Sequence, residues 1–144
     1  MQKDSVVSFA MQFRSADYAA GIALKRGQLA RAEQLRATMD CLHDRALSVP
    51  AQSPRGAAYQ LHMAAALVES QGVLDDATAE ALGAELNGIA YRCARRKQTL
   101  GDVVRVRAIK RELECVGPDD AAANCARVIG LALAGIARPM LAAG

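Results

Sequence analysis

His43 follows Cys41 in a C-x-H arrangement, and the chemistry such a pair would offer is ligation of zinc. On a helix, residues two apart point about 200° away from each other, so the pair cannot grip one ion without ligands from elsewhere. His43 is instead expected on a polar face beside Asp40 or Asp44, and His62 at the edge of a helix contact. Nothing local sets either histidine against a cysteine as a nucleophilic pair. The acidic pairs Asp75-Asp76 and Asp119-Asp120 stand at predicted helix starts, where capping accounts for them. Neither a GxxxxGK[ST] loop nor a strand followed by GxGxxG is present, so a nucleotide-phosphate cradle has no support. These residues predict no catalytic group, no metal and no cofactor, and therefore a protein that is not an enzyme.

The cations carry more information. Eight of the 18 Lys and Arg residues fall in 92–111, namely Arg92, Arg95, Arg96, Lys97, Arg105, Arg107, Lys110 and Arg111, and Asp102 is the only fixed negative side chain among them. That stretch carries +7, and with a whole-chain charge of +3 the remainder carries −4. Segregation on this scale marks 92–111 as a surface for an anionic partner.

Positioning those residues falls to helices. Of the 144 residues, 31 are Ala, none is Trp and only 3% are aromatic, a balance that favours helix over sheet. Apolar residues recurring three and four apart divide the chain into about six segments. The first, 4–26, presents Val6, Phe9, Phe13, Ala16, Ala20 and Leu24 before a turn at Gly27. The second, 28–47, presents Leu29, Ala32, Leu35, Met39, Leu42 and Ala46. Residues 48–56 hold Pro50, Pro54 and Gly56 and read as a loop and candidate hinge. Segment 57–71 is apolar nearly all round, as a central helix should be. After Gly72, Asp75 or Asp76 caps a fourth helix with a seam of Leu82, Leu86, Ile89 and Cys93.

In 100–116, Val104-Arg105-Val106-Arg107 alternates like a strand. The longer spacing of Val103, Val106, Ile109, Leu113 and Val116 favours helix, since a lone strand would have nothing to pair with. Gly117-Pro118 stops it, and a last helix follows with Ala122, Cys125, Ile129, Leu133, Ile136 and Met140 inward and Pro139 kinking or ending it. Short connections between helices of this length predict an all-α compact bundle of five to six mostly antiparallel helices, one domain over 1–144. Ala20, Gly27 and Ala32 resemble the small positions of a tetratricopeptide hairpin. The large positions hold Ala23 and Arg36, and no second copy follows at a period of about 34 residues, so that family is not assigned.

The four cysteines show no CxxC spacing and sit at or beside apolar stripes, the pattern of buried thiols in a reducing, cytoplasmic compartment. No secretory leader is visible, and the most apolar run, Val128 to Ala137, falls short of the ~20 residues of a membrane span, so no membrane contact is expected. The Ala- and Arg-rich composition suggests a bacterial or phage source.

On the fifth helix Arg107 and Arg111 lie one turn apart, away from the Val106–Leu113 seam, with Val104 on the same outer side and Arg105 and Lys110 flanking. Cations mixed with an exposed apolar side chain suit an interface. The expected function is a small helical adaptor, regulator or chaperone-like protein docking an acidic protein partner through Arg92, Arg95, Arg96, Lys97, Val104, Arg105, Arg107, Lys110 and Arg111. The alternative is a nucleic-acid-binding regulator using the same surface through phosphate contacts. The helix-turn-helix template is not fully met at Gly27, Gly72 or Gly101: around Gly72, Leu67 and Val73 suit it, but Thr78 and Ala81 stand where it needs branched apolar residues, and no aromatic interleaves the cations. A solvated basic face, a homodimer seam, and a small-molecule or lipid site around Tyr59, Met63, Ile129 and Met140 are the further readings, the last four residues being expected in the core.

Overall fold

The computed structural model describes residues 4–72, 74–116 and 120–142, and the side chains of the last stretch through Ala137. It contains six helices: α1 Ser5–Lys25, α2 Leu29–Ala46, α3 Pro54–Ser70, α4 Asp76–Ala94, α5 Leu100–Glu114 and α6 Asp120–Ala142. No strand occurs among the described residues.

Local chemistry explains most of the boundaries. Asp4 caps α1 by accepting from the Val6 amide at 3.0 Å, and Asp75 caps α4 by accepting from Thr78 at 3.2 Å. The hydrogen bond from Thr78 holds the Asp75 carboxyl below its ordinary range. Thr99 and Asp102 form a capping box at the start of α5, each side chain accepting from the other's amide at 3.1 and 3.0 Å. That box, with Val103, Val106, Ile109 and Leu113 all buried, makes the strand-like alternation of 104–107 a helix. Gly117, Pro118 and Asp119 lie outside the described residues.

Residues 48–53 form the expected loop, but α3 begins at Pro54 and not at 57. Ser53 caps α3 and Pro54 opens it, because proline's fixed φ suits a first helical position whose amide needs no partner. The shortened connection is fastened on three sides. Gln60 is fully buried and donates to the carbonyls of Ala46 and Val49 at 3.0 and 2.7 Å. The Ala51 amide donates to the Leu131 carbonyl at 3.1 Å, and Asp4 accepts from the Gln52 amide and the Ser53 hydroxyl.

Packing proceeds by hairpins: α1 on α2, α3 on α4, α5 on α6, with α6 also against α3. Successive helices do not all pair, because α4 and α5 meet only at a corner. Helix α3 touches α1, α4 and α6 and so is the central one. Leu61 and Val68 of α3, Leu86 and Ile89 of α4, and Ile129 and Ile136 of α6 belong to one continuous core. The α1–α2 hairpin packs as extensively as α3 on α4, and its buried residues are mostly small: Val6, Ala16, Ala20 and Ala23 of α1, and Ala32, Leu42 and Ala46 of α2.

Several side chains differ from their expected places. Leu24, Leu29 and Val116 are exposed, and the small Ala23 takes the buried position next to Leu24. Cys93 and Cys125 are buried, whereas Cys41 and Cys115 are exposed. His43 tilts against Phe13 of α1, ring centroids 6.3 Å apart, rather than joining Asp40 or Asp44. Helix α6 continues through Pro139, so that residue does not end it; the side chain of Met140 lies outside the described residues. By length and composition Asp120–Ala137 is apolar enough to cross a membrane, at mean hydropathy 1.3. The apolar stretch is longer than Val128 to Ala137 because Ala121, Ala122 and Ala123 extend it; its buried side chains pack on α3 and α5.

Candidate functional site

Three of the eight clustered cations are engaged within the fold. Arg92, in the last turn of α4, meets Asp102 through Nε to Oδ2 at 3.0 Å and Nη2 to Oδ1 at 2.8 Å. Those hydrogen bonds hold the Asp102 carboxyl below its usual range and raise the Arg92 guanidinium. Arg105 grips Glu85 of α4 at 2.5 and 2.9 Å and reaches Glu112 at 3.2 Å. Its guanidinium is likewise raised, mainly by the bonds to Glu85. Lys110 pairs with Glu114 at 2.5 Å, one turn along α5, and its stem runs beside Gly130 of α6. Part of the segregated charge is therefore balanced by the more acidic remainder.

Arg95, Arg96, Lys97, Arg107 and Arg111 make no ion pair among the described residues. Arg95 lies over the ring of Tyr91, 4.2 Å from its centroid, a cation–π contact across one turn. Lys97 is exposed beyond the helix end. Arg107 and Arg111 stand on the outer face of α5 with Val104, which is 60% exposed, as the helical spacing predicts. Leu100, 58% exposed, completes that face; sequence reading missed it, although it precedes Val104 by one turn.

Arg96 is set apart by its backbone. It has φ 56°, the only non-glycine residue with positive φ among those described, and it occupies the left-handed position after α4. Its amide donates to Cys93 at 3.0 Å and the next amide, of Lys97, to Arg92 at 2.8 Å, the Schellman closure of a helix. At the ends of α1 and α3 the same conformation is taken by Gly27 and Gly72. For a residue with a Cβ it costs about 1–2 kcal/mol. The side chain lines a hollow with Val7, Met11 and Gln12 of α1 and Arg55 of α3.

Among the described residues no group of three or more His, Cys, Asp or Glu side chains converges to hold a metal. His62 is bound to Asn87 across α3 and α4 at 2.7 Å, the helix edge expected of it. Burial pushes the Cys93 thiol up to about 11, which leaves it protonated and unreactive near neutrality. Burial also raises the phenol of the half-buried Tyr59. Ile129 is fully buried and Met63 packs against the same core, as expected. No protein-family profile matches the chain, and no curated protein and no solved structure is significantly similar to it.

Proposed function

We propose that this chain is a small non-catalytic helical interaction protein, an adaptor, regulator or chaperone-like module, that docks an acidic protein partner through the outer face of α5. One observation carries the reading: Leu100, Val104, Arg107 and Arg111, at successive turns of one helix face, are all exposed, and both arginines are without an ion pair among the described residues. Arginine beside exposed apolar side chains is the composition of an interface core, whereas a merely solvated face has no use for Leu100 and Val104. Phosphate binding would use the arginines alone, which is why a protein ligand is preferred over nucleic acid.

The test uses the double variant Arg107→Glu/Arg111→Glu, which keeps the fold because both side chains face water. Affinity capture with parent and variant side by side should yield an acidic partner whose purified form binds the parent directly and the variant at least about tenfold more weakly. Binding of the parent to labelled duplex DNA, single-stranded DNA or RNA with a steep negative salt slope, lost in the variant, would transfer the α5 face to the nucleic-acid reading. Equal behaviour of parent and variant towards every partner would remove the face from function altogether.

A further inference from the structure

Two hollows that share Val7, Met11 and Arg55 form one open trough between α1, the start of α3 and the end of α4. The larger holds about 640 Å³. Val7, Ala10 and Met11 of α1 and Tyr59 of α3 give it an apolar lining, with Met11 63% exposed. Arg14, Arg55 and Arg96 stand around that lining against a single carboxylate, Asp4. Asp4 is already occupied by the Val6 and Gln52 amides and the Ser53 hydroxyl. None of the three arginines has an ion pair among the described residues, so the trough is cationic and its charge uncompensated.

The exposed face of α1 extends beyond the trough. Val7, Met11 and Tyr18, with Arg14 between the last two, recur at helical spacing on one side of the helix, and Tyr18 is 75% exposed. At ~1.5 Å per residue this stripe is about 16 Å long, or three turns.

Arg96 supplies an independent observation. Two other helices end on a glycine in the left-handed conformation, where no Cβ is strained, and α4 ends on an arginine instead. Strain kept at one position points to use of the side chain that carries it, and this side chain lines the trough.

We propose that the trough and the adjoining face of α1 dock an amphipathic helix from a partner protein, its apolar side chains on Met11, Tyr59 and Tyr18 and its carboxylates on Arg14, Arg55 and Arg96. Helix-in-groove recognition reads anchors at i, i+3, i+4 and i+7, about two turns, which a face of this length accommodates. The open sides suit a helix better than a small ligand, which is normally enclosed over most of its surface. A second copy of this chain fits poorly, because a symmetric contact through this face would set two uncompensated arginine clusters against each other. The trough uses none of α5, so this inference stands or falls separately from the α5 docking face.

Fluorescence anisotropy on the full chain tests it with two labelled synthetic helices of about 18 residues, five turns. They share one Leu face, flanked by Glu in the first and by Lys in the second. The Glu peptide should bind at least about tenfold tighter than the Lys peptide. Arg96→Gly and Arg14→Glu should each weaken it about fivefold or more, while Arg107→Glu/Arg111→Glu leaves it within about twofold. Arg96→Gly should melt no lower than the parent, so its loss of binding is not unfolding. The inference is overturned if the Glu peptide binds no tighter than the Lys peptide, if Arg96→Gly and Arg14→Glu retain full affinity, or if only the α5 double variant loses it.

Discussion

Arg92 and Asp102 close the corner between α4 and α5 with a two-pronged ion pair, and the same Asp102 carboxylate caps α5 by accepting from the Thr99 amide. The one acid within the basic stretch is thus a structural element, buried to 8% exposure. Where a contiguous basic surface would have used Arg92, the fold uses it to set the angle at which α5 leaves α4.

Asp102→Asn should destabilise the fold by about 1–3 kcal/mol near neutrality, since it removes the charge from two hydrogen bonds that Arg92 donates. The folded carboxyl titrates below its unfolded value, so its contribution is complete above about pH 4 and disappears as pH falls through the folded value. Urea melts of parent and variant across acid pH should converge on acidification. A constant gap between them would show that the charge of Asp102 contributes nothing.

Gln60→Leu should cost about 1–3 kcal/mol despite its apolar surroundings, because it takes the donor away from the Ala46 and Val49 carbonyls. Gln60→Glu should cost more, since it removes both donors and buries a carboxyl. Denaturant unfolding ranks the three proteins, and a Leu variant as stable as the parent would show that water replaces the amide.

Two glycine-to-alanine changes should act in opposite directions. A Cβ on Gly135 would lie 2.6 Å from the Ser53 carbonyl oxygen and 2.7 Å from the Ala51 Cβ, in the fastened connection, and should destabilise by about 1–3 kcal/mol. Gly21 is exposed within α1 with nothing within 4 Å of the new atom, so Gly21→Ala should stabilise by about 0.5–1 kcal/mol. Thermal melts of both variants check the pair.

Alkylation with a maleimide should separate the thiols by burial. Cys41 and Cys115 react in the native protein, while Cys93 and Cys125 react only after unfolding. Peptide mapping by mass spectrometry reads the sites, and native labelling of Cys93 would contradict its buried, protonated state.

The helices were legible because their signals are local. Asp75 before Thr78 is a sufficient capping instruction, as are the spacing of Leu82, Leu86, Ile89 and Cys93 for a buried seam and Gly27 for a left-handed stop. The outer placement of Val104, Arg107 and Arg111 follows from the same periodicity. In 48–56 the loop reading holds through Ser53 and fails only where Pro54 opens α3; the contacts that fasten the segment come from Gln60, Leu131 and Asp4, remote in sequence. Leu24 and Leu29 misled because a stripe of period 3.6 says which residues share a face, and not whether another helix covers it.

By itself, then, the sequence determined six helices, most of their ends, most of their buried seams and a concentration of positive charge, all consequences of hydrogen bonds and side-chain repeats a few residues long. Tertiary structure alone decided how that charge is divided. It set Arg105 against Glu85, 20 residues away, brought Arg96 beside α1, and gave Arg107 and Arg111 no ion pair among the described residues. The physical reason is that pairing of charges and the opening of a trough depend on distances between helices, and those follow from how the bundle packs its core rather than from any local pattern.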